Sequence, residues 1–242
     1  MKTEIKEFSD LIQDGGRLPT GWNLKVIIND DNLAYLASYE PTREAILVDP
    51  MREDYAELLK LVRSFEGYRF LFTMDTHTHA DHVSCAFPMA RELKTSYLMH
   101  AASPSSKAQI RISKDCEIPT SAGPMKFLTT PGHTVDGLVL IWGPFLFGGD
   151  TLMYGDTGRD DLPGGNPEAH FESLQKIKTH ARLEMFMLPN HDGRGGRISS
   201  WKTQLEVNAS LTQDRTTFVA EAGAYVGPSP KNLKESLFEN CK

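Results

Sequence analysis

Three histidines and one aspartate fall within the seven residues Thr76–His82, which read Thr-His-Thr-His-Ala-Asp-His. Histidine and aspartate bind borderline divalent ions, and crowding them together destabilises a chain unless an ion neutralises and orders them. The preceding segment, Tyr68–Phe72, is short, apolar and rich in aromatic residues, so it predicts a buried strand that ends at this loop. The pattern therefore predicts a metal site rather than a solvent-exposed turn.

A second arrangement recurs three times later in the chain. Each time, a short apolar strand stops at a loop that contains Gly or Pro and carries one candidate ligand: His133, Asp150 or His191. Functional groups collect on loops at strand ends, and glycine lets a backbone approach an ion closely. Any one of these residues alone would be an ordinary polar loop residue, but the ordered set extends the local motif into a site.

The elements that must position these residues follow from hydrophobic periodicity. It predicts strands near residues 24–28, 33–38 and 45–48, and helices at residues 54–65, 82–93 and 167–179. Asp81 is placed to cap the second helix, and Pro167 suits the first turn of the third. We expect His170 and His180, which flank that third helix, to be solvated.

The order of ligands, His-x-His-x-Asp-His followed by separate His, Asp and His residues, resembles the metallo-β-lactamase superfamily from about Leu24 to the C-terminus. The resemblance implies an α/β fold, a four-layer αβ/βα sandwich with the metal cleft at one edge of its two sheets. We expect residues 24–242 to form one such domain with a C-terminal cap, after a weakly patterned lead-in at residues 1–23.

Composition bounds the class of protein. A chain of 242 residues buries about three quarters of its unfolded surface, enough for one large domain. The net charge of −6 argues against nucleic-acid binding as the main function. Apolar stretches fall short of the roughly 18 to 20 residues that span a bilayer, and the start of the chain lacks an apolar core. Three cysteines cannot form a closed disulfide framework. These features predict a cytoplasmic protein that needs no membrane.

Two metal arrangements are open, and spacing alone does not choose between them. In a dinuclear site every candidate binds: His77, His79 and His133 on one ion, Asp81, His82 and His191 on the other, and Asp150 as the bridge. A hydroxide between the ions would then attack an ester or lactam. In a mononuclear site only His77, His133 and Asp150 bind, as the two imidazoles and one carboxylate with which iron(II) oxygenases hold substrate and O₂ together. The remaining candidates would then orient these ligands and hold water.

The sequence around Asp150 favours the mononuclear arrangement. The segments 149–152 and 158–161 are similar to the Gly-Asp-x-Leu and Gly-Arg-x-Asp pair of the persulfide dioxygenases, a branch of the superfamily that oxidises glutathione persulfide. The loop Thr76–His82 also matches that branch, including its Ala. The resemblance implies one Fe²⁺ per chain on His77, His133 and Asp150, with glutathione persulfide or a related small persulfide and O₂ as reactants and sulfite and thiol as products.

Three arginines are candidates for substrate binding. By the same resemblance, Arg159 organises the pocket or meets a glutathione carboxylate, although pairing with Asp160 or Asp161 is an equal alternative. Arg194 and Arg197 lie just beyond His191, where they could attract an anionic thiol or remain solvated charges. Cys85 is interpreted as a buried packing thiol rather than a reactive one.

Two other functions stay open on the sequence. The first is a thioester hydrolase of glyoxalase II type with two Zn²⁺ ions, although that family usually carries a longer helical C-terminal domain, which we do not expect here. The second is a metal-stabilised binding protein without turnover. A homodimer is compatible with either. Metal content separates the oxygenase from the hydrolase, because they require one iron and two zinc ions respectively.

Overall fold

The computed structural model describes residues 2–192, 195–230 and 232–242. Within these residues the strands form two sheets, one of seven strands and one of six. The predicted strands at residues 24–28, 33–38 and 45–48 are all present, each extended by one to a few residues at its ends. The two sheets correspond to the two halves of the chain, and the loops that carry the candidate ligands of both halves lie close together.

The first sheet is built from the N-terminal half. Its strands, in both chain and spatial order, are β1 (Glu4–Glu7), β2 (Trp22–Asn29), β3 (Asn32–Tyr39), β4 (Glu44–Val48), β5 (Arg69–Met74), β6 (Ser96–His100) and β7 (Ile110–Ile112). Pairing is antiparallel from β1 to β4 and parallel from β4 to β7. Because β4 and β5 are parallel neighbours, their carboxyl ends bring Asp49 beside the histidine loop.

The second sheet is built from the C-terminal half. Its strands are β8 (Cys116–Ile118), β9 (Met125–Thr129), β10 (Leu138–Trp142), β11 (Phe145–Gly149), β12 (Phe186–Pro189) and β13 (Ser199–Ser200), in the order β13-β12-β11-β10-β9-β8. Only the β11 and β12 pair is parallel among these described strands. That parallel pair sets Asp150 and His191 side by side at one edge of the sheet.

The described residues form six α-helices. They are α1 (Tyr55–Arg63), α2 (Ala86–Glu92), α3 (Pro167–His180), α4 (Trp201–Val207), α5 (Arg215–Ala224) and α6 (Leu233–Asn240). Helix α3 begins as predicted, with Pro167 in its first turn and the Asn166 side chain accepting a hydrogen bond from the Ala169 amide at 3.1 Å. Among the described residues, no helix combines the length and apolar character needed to cross a bilayer.

Three clusters of buried apolar residues lie between the four layers of the fold. The central core lies between the sheets, where Tyr35 and Val26 of the first sheet share one apolar cluster with Phe127 and Phe147 of the second. A second cluster joins the outer face of the second sheet to α3, α4 and α5. A third joins the outer face of the first sheet to α1 and α2. Helix, sheet, sheet and helix therefore stack in the αβ/βα order that the sequence predicted.

Two sequence expectations need adjustment. The helix predicted at residues 82–93 begins only at Ala86, and Asp81 does not cap it. Residues ahead of α2 run beside the segment after β4 instead, because the Arg52 amide donates to Val83 O and the Cys85 amide donates to Pro50 O, both at 2.8 Å. The lead-in at residues 1–23 contributes β1 to the first sheet, and its Phe8 is buried in the central core.

Candidate metal centre

Three donor atoms from three loops converge at the edge where the sheets meet. His77 follows β5, His133 follows β9 and Asp150 follows β11. Asp150 Oδ2 lies 3.8 Å from His77 Nε2 and 3.5 Å from His133 Nε2. Two ligands bound at about 2.1 Å to one ion lie about 3.0 to 3.4 Å apart, so these separations fit a common ion after a small inward movement. All three side chains are at most 10% exposed.

His77 is oriented by a relay of side chains. Its Nδ1 lies 3.1 Å from Thr76 Oγ1, which donates to Asp49 Oδ2 at 2.9 Å. The Thr76 hydroxyl uses its only proton in the hydrogen bond to Asp49, so its oxygen accepts a hydrogen bond from His77 Nδ1–H. The lone pair of the neutral imidazole is then on Nε2, which faces Asp150. Burial, with the neighbouring His79, holds the pKa of His77 well below its ordinary value, which keeps the ring neutral and able to bind a metal.

His133 is oriented by the backbone. Its Nδ1–H donates to Arg159 O at 2.5 Å, because a carbonyl oxygen can only accept, and Nε2 is left facing Asp150. Glycine is required nearby at two positions. A Cβ at Gly149, which has φ +54°, would lie 2.5 Å from Thr76 Oγ1. A Cβ at Gly132 would collide with the backbone of His170. The Gly residues noted in the sequence thus allow the ligand loops to approach one another.

Asp150 uses its second oxygen to hold His191. His191 Nδ1 lies 2.7 Å from Asp150 Oδ1, and His191 Nε2 lies 3.2 Å from Asp81 Oδ2. Burial alone would raise the pKa of Asp150 and lower that of His191, but their mutual attraction outweighs it: the pKa of Asp150 falls below its ordinary value and that of His191 rises well above. His191 is therefore an imidazolium between two carboxylates, and Asp150 is ionised.

The other members of the histidine loop face away from Asp150. His79 is buried, with Nε2 3.3 Å from Asp49 Oδ1 and 3.8 Å from Asp75 Oδ1. Burial lowers its pKa, but these two carboxylates more than compensate and hold the pKa well above its ordinary value. His82 stacks on His79 with ring centroids 4.2 Å apart, and His82 Nδ1 lies 3.0 Å from Asp81 Oδ2.

Three groups of side chains within the described ranges have donor atoms close enough to hold an ion. They are His77, His133 and Asp150; His79, Asp81 and His82; and Asp49, Asp75 and His79. The first group is the mononuclear set predicted from the sequence. The second contains three of the four further candidates, and the fourth, His191, connects the two groups through its carboxylate partners. The structure thus brings all seven predicted ligand candidates into one neighbourhood.

A cavity of about 540 Å³ opens above the metal donors. Its walls include apolar side chains from loops of the second half, such as Met153 and Leu162, and from the C-terminal cap, such as Phe218 and Tyr225. Arg159 lies in the wall, where Nη2 donates to Asp161 Oδ2 and Nη1 donates to Pro228 O, both at 2.6 Å. The hydrogen bonds to Asp161 hold the pKa of Arg159 above its ordinary value.

The other two arginines differ from Arg159. Arg197 pairs with Asp192, with Nη2 2.8 Å from Oδ1, and its guanidinium carbon lies 4.0 Å from the ring centre of Tyr154. It is not among the described residues that line the cavity. Arg194, the third candidate, lies outside the described residues. Cys85 is buried and its thiol donates to Met51 O at 3.1 Å, and burial raises its pKa, as suits a packing thiol.

Sequence reasoning was wrong about His170 and did not assign a role to Asp49. His170 is fully buried: Nε2–H donates to Thr151 O at 2.8 Å and Nδ1 lies 2.7 Å from Asp160 Oδ1. The signal was present, because His170 shares a helical face with the buried Leu174 and Ile177. Asp49 has φ +52° at the end of β4, and its position beside the histidine loop depends on the pairing of β4 with β5.

No family model matches the chain. Known proteins are nevertheless similar to it in sequence and in fold. The mitochondrial persulfide dioxygenase ETHE1 of Homo sapiens is 24% identical over 210 residues, which cover 86% of this chain and 82% of that protein. The hydroxyacylglutathione hydrolase of Anaeromyxobacter dehalogenans is 28% identical over 207 residues, covering 84% and 78%.

Solved structures are similar to this chain in fold. The crystal structure of ETHE1 from Myxococcus xanthus superposes with a TM-score of 0.82 at 24% identity, covering 90% of this chain and 98% of that one. A metallo-β-lactamase from Staphylococcus aureus gives 0.78 at 20% identity, covering 92% and 74%. The chain is therefore a metallo-β-lactamase-fold protein with a candidate histidine and carboxylate metal centre. The relatives in sequence and in structure include persulfide dioxygenase ETHE1, and this similarity confirms the resemblance noted in the sequence.

Proposed function

We propose that this chain is an iron(II)-dependent dioxygenase that oxidises glutathione persulfide, or a related small persulfide, to sulfite and thiol. The observation that carries the proposal is the division of the seven candidate ligands into two groups. His77, His133 and Asp150 direct donor atoms at one point. His191 and Asp81, in contrast, already satisfy each other. Two imidazoles and one carboxylate form the facial donor set of iron(II) oxygenases.

The chain's own residues prepare this donor set before any ion binds. Burial keeps His77 neutral, and the imidazolium of His191 keeps Asp150 ionised, so the metal meets two lone pairs on nitrogen and one anionic oxygen. Iron(II) held by such a set would supply the redox chemistry that oxidation of a persulfide by O₂ requires. The hydrogen bond from His191 fixes which carboxylate oxygen of Asp150 faces the metal.

The cavity suits a small peptide persulfide. Its volume of about 540 Å³ falls within the roughly 300 to 1,000 Å³ of ordinary ligand pockets. Met153, Leu162 and Phe218 supply apolar walls that exclude water from the sulfur. Arginine carries five N–H donors, so Arg159 can hold Asp161 and still donate to a substrate carboxylate. We propose Arg159 as the substrate-binding arginine and Arg197, already paired with Asp192, as a residue that fixes its loop.

The direct test combines metal analysis with turnover. Protein purified without added metal should hold about one iron per chain and consume O₂ with glutathione persulfide. A chelator should abolish this activity, and iron(II) rather than zinc(II) should restore it. Close to two zinc ions per chain, with hydrolysis of a glutathione thioester and no O₂ uptake, would contradict the proposal. The cytoplasmic location, the homodimer and a role for Arg194 remain predictions.

A second candidate function is a dinuclear thioester hydrolase. It is favoured by the second donor group, His79, Asp81 and His82, and by the similarity to hydroxyacylglutathione hydrolase. If His191 also bound the second ion, it would have to give up one of its two carboxylate contacts, because Asp81 and Asp150 now occupy both of its nitrogens. The metal analysis above separates the two functions, because only the hydrolase requires two ions.

A further inference from the structure

Helix α6 ends beside the metal loop, the segment after β5 that carries His77, His79 and His82. Asn240, the final residue of α6, donates through its amide nitrogen to His79 O at 3.0 Å and to His82 O at 2.9 Å. Its amide oxygen accepts from the Ser84 amide at 2.9 Å. One side chain thus joins three backbone groups that lie more than 150 residues earlier in the sequence.

These backbone groups belong to a segment without regular structure. Between β5 and α2 the chain forms neither a β-strand nor a helix that would pair its backbone N–H and C=O groups. Buried backbone groups need partners, and an asparagine amide offers two N–H donors and one carbonyl acceptor. Asn240 uses both kinds, so its side chain supplies pairing that secondary structure does not provide here.

The position of Asn240 is fixed independently of these bonds. Arg52 Nη2 lies 2.8 Å from Glu235 Oε1 near the start of α6. At the other end, Lys107 Nζ donates to Glu239 O and the Ser106 amide donates to Lys242 O, both at 3.1 Å. The helix is therefore held at both ends, and Asn240 is presented to the metal loop by a docked element.

We propose that Asn240 is a positioning residue of the metal centre, which fixes the loop that carries His77. It touches neither substrate nor the donor atoms, and it acts through the backbone of His79 and His82. This role rests on the proposed metal centre. Groups that orient metal ligands from outside change metal affinity by about 10- to 100-fold. Loss of Asn240 should weaken metal binding by that factor while the fold persists.

The test compares Asn240→Ala, Asn240→Asp and the control Glu239→Gln. The Glu239 side chain lies on the same helix and pairs with Lys242 at 2.8 Å. Asp has the shape of Asn and keeps the acceptor for Ser84, but it cannot donate to the two carbonyls. We expect the dissociation constant for Fe²⁺ or Co²⁺, measured by chelator competition, to rise at least tenfold in both Asn240 variants and to stay unchanged in the control.

An isosteric variant separates hydrogen bonding from packing. If Asn240 only fills space, Asn240→Asp should bind metal as the wild type does, and that result would overturn the proposal. Hydrogen exchange of the Ser84 amide in metal-free wild-type protein gives a second measurement that needs no variant. This exchange should be slow, and rapid exchange in the folded protein would also overturn the proposal. If the wild-type protein binds no metal, the proposed function is wrong. If the wild type binds metal and the Asn240 variants bind it with the same affinity, only the role of Asn240 is wrong.

Discussion

The two halves of the molecule contribute to the metal centre in different ways. The first half concentrates four candidate ligands, His77, His79, Asp81 and His82, in one loop after β5. The second half places single residues at the ends of separate strands. Yet the convergent donor set takes one ligand from the dense loop and two, His133 and Asp150, from the dispersed half. The density of ligands along the sequence therefore locates a site without showing which residues share an ion.

The two histidines of the convergent donor set, one from each half, are oriented by different means. In the first half, Asp49 and Thr76 hold His77 through side chains. In the second half, the carbonyl of Arg159 holds His133, and no substitution can delete a carbonyl. Side-chain orientation should therefore be sensitive to single conservative substitutions, whereas backbone orientation should respond only when the loop itself moves. The following experiments test this difference, in order of decreasing effect.

The largest effect should come from removing a convergent donor. His133→Ala should lose nearly all bound metal and O₂ uptake, because two donors remain where three converged. His82→Ala, from the dense loop, should reduce metal affinity only about tenfold, since His82 contacts Asp81 rather than Asp150. Metal content and titration of the two variants measure the contrast. Equal losses in both would favour a dinuclear site and break the comparison between the halves.

The next effect concerns the buried pair of His170 and Asp160 in the second half. His170→Leu leaves Asp160 buried without its partner, so the free energy of unfolding should fall by about 3 to 5 kcal/mol. Adding Asp160→Asn should recover part of that loss. Urea denaturation of both proteins measures it. A loss below about 1 kcal/mol would show that the Asp160 side chain finds another partner.

Thr76→Val tests orientation through side chains. It removes the hydroxyl between His77 and Asp49 at nearly constant shape, and metal affinity should fall about tenfold. The matched control is Thr73→Val on β5, whose buried hydroxyl donates to Ala86 O at 2.7 Å, away from the ligands. The control should lose stability, by about 1 to 3 kcal/mol, and keep its metal affinity. Equal metal affinities in the two variants would argue against the relay.

The smallest effect on the metal should come from the arginines. Arg159→Gln should raise the Michaelis constant for glutathione persulfide about tenfold with metal content unchanged, because a charged contact to a substrate carboxylate is lost. Arg197→Gln should leave that constant unaltered, since Arg197 pairs with Asp192 outside the cavity lining. Steady-state kinetics of both variants decide it. A matching rise in Arg197→Gln would return that residue to the substrate site.

Particular residues show how far the sequence alone could go. The ligands at strand ends predicted a metal site with seven candidate residues, and periodicity predicted individual strands and helices. The resemblance to a known superfamily, rather than spacing or periodicity, implied the four-layer sandwich and the donor set His77, His133 and Asp150. Prediction was less successful where the partners of a residue lie outside its own helix or strand. His170 was expected in solvent although it shares a helical face with Leu174 and Ile177, because periodicity does not identify Asp160 as the partner of a buried histidine. The start of α2 was misplaced because pairing with residues 50–52 competes with helix formation.

The sequence by itself determined the main strands and helices, the location of the candidate metal centre and the kinds of donor atom that it offers, because periodicity and local ligand spacing are properties of neighbouring residues. The order of ligands along the chain also carried the resemblance that implied the fold. Only the tertiary structure decided how the histidines divide: His77 faces Asp150, His79 faces Asp49 and Asp75, and His191 lies between two carboxylates. It also decided that Asn240 reaches the metal loop. The reason is physical, since each of these choices depends on charges and hydrogen-bond partners that become neighbours only when the two sheets pack together.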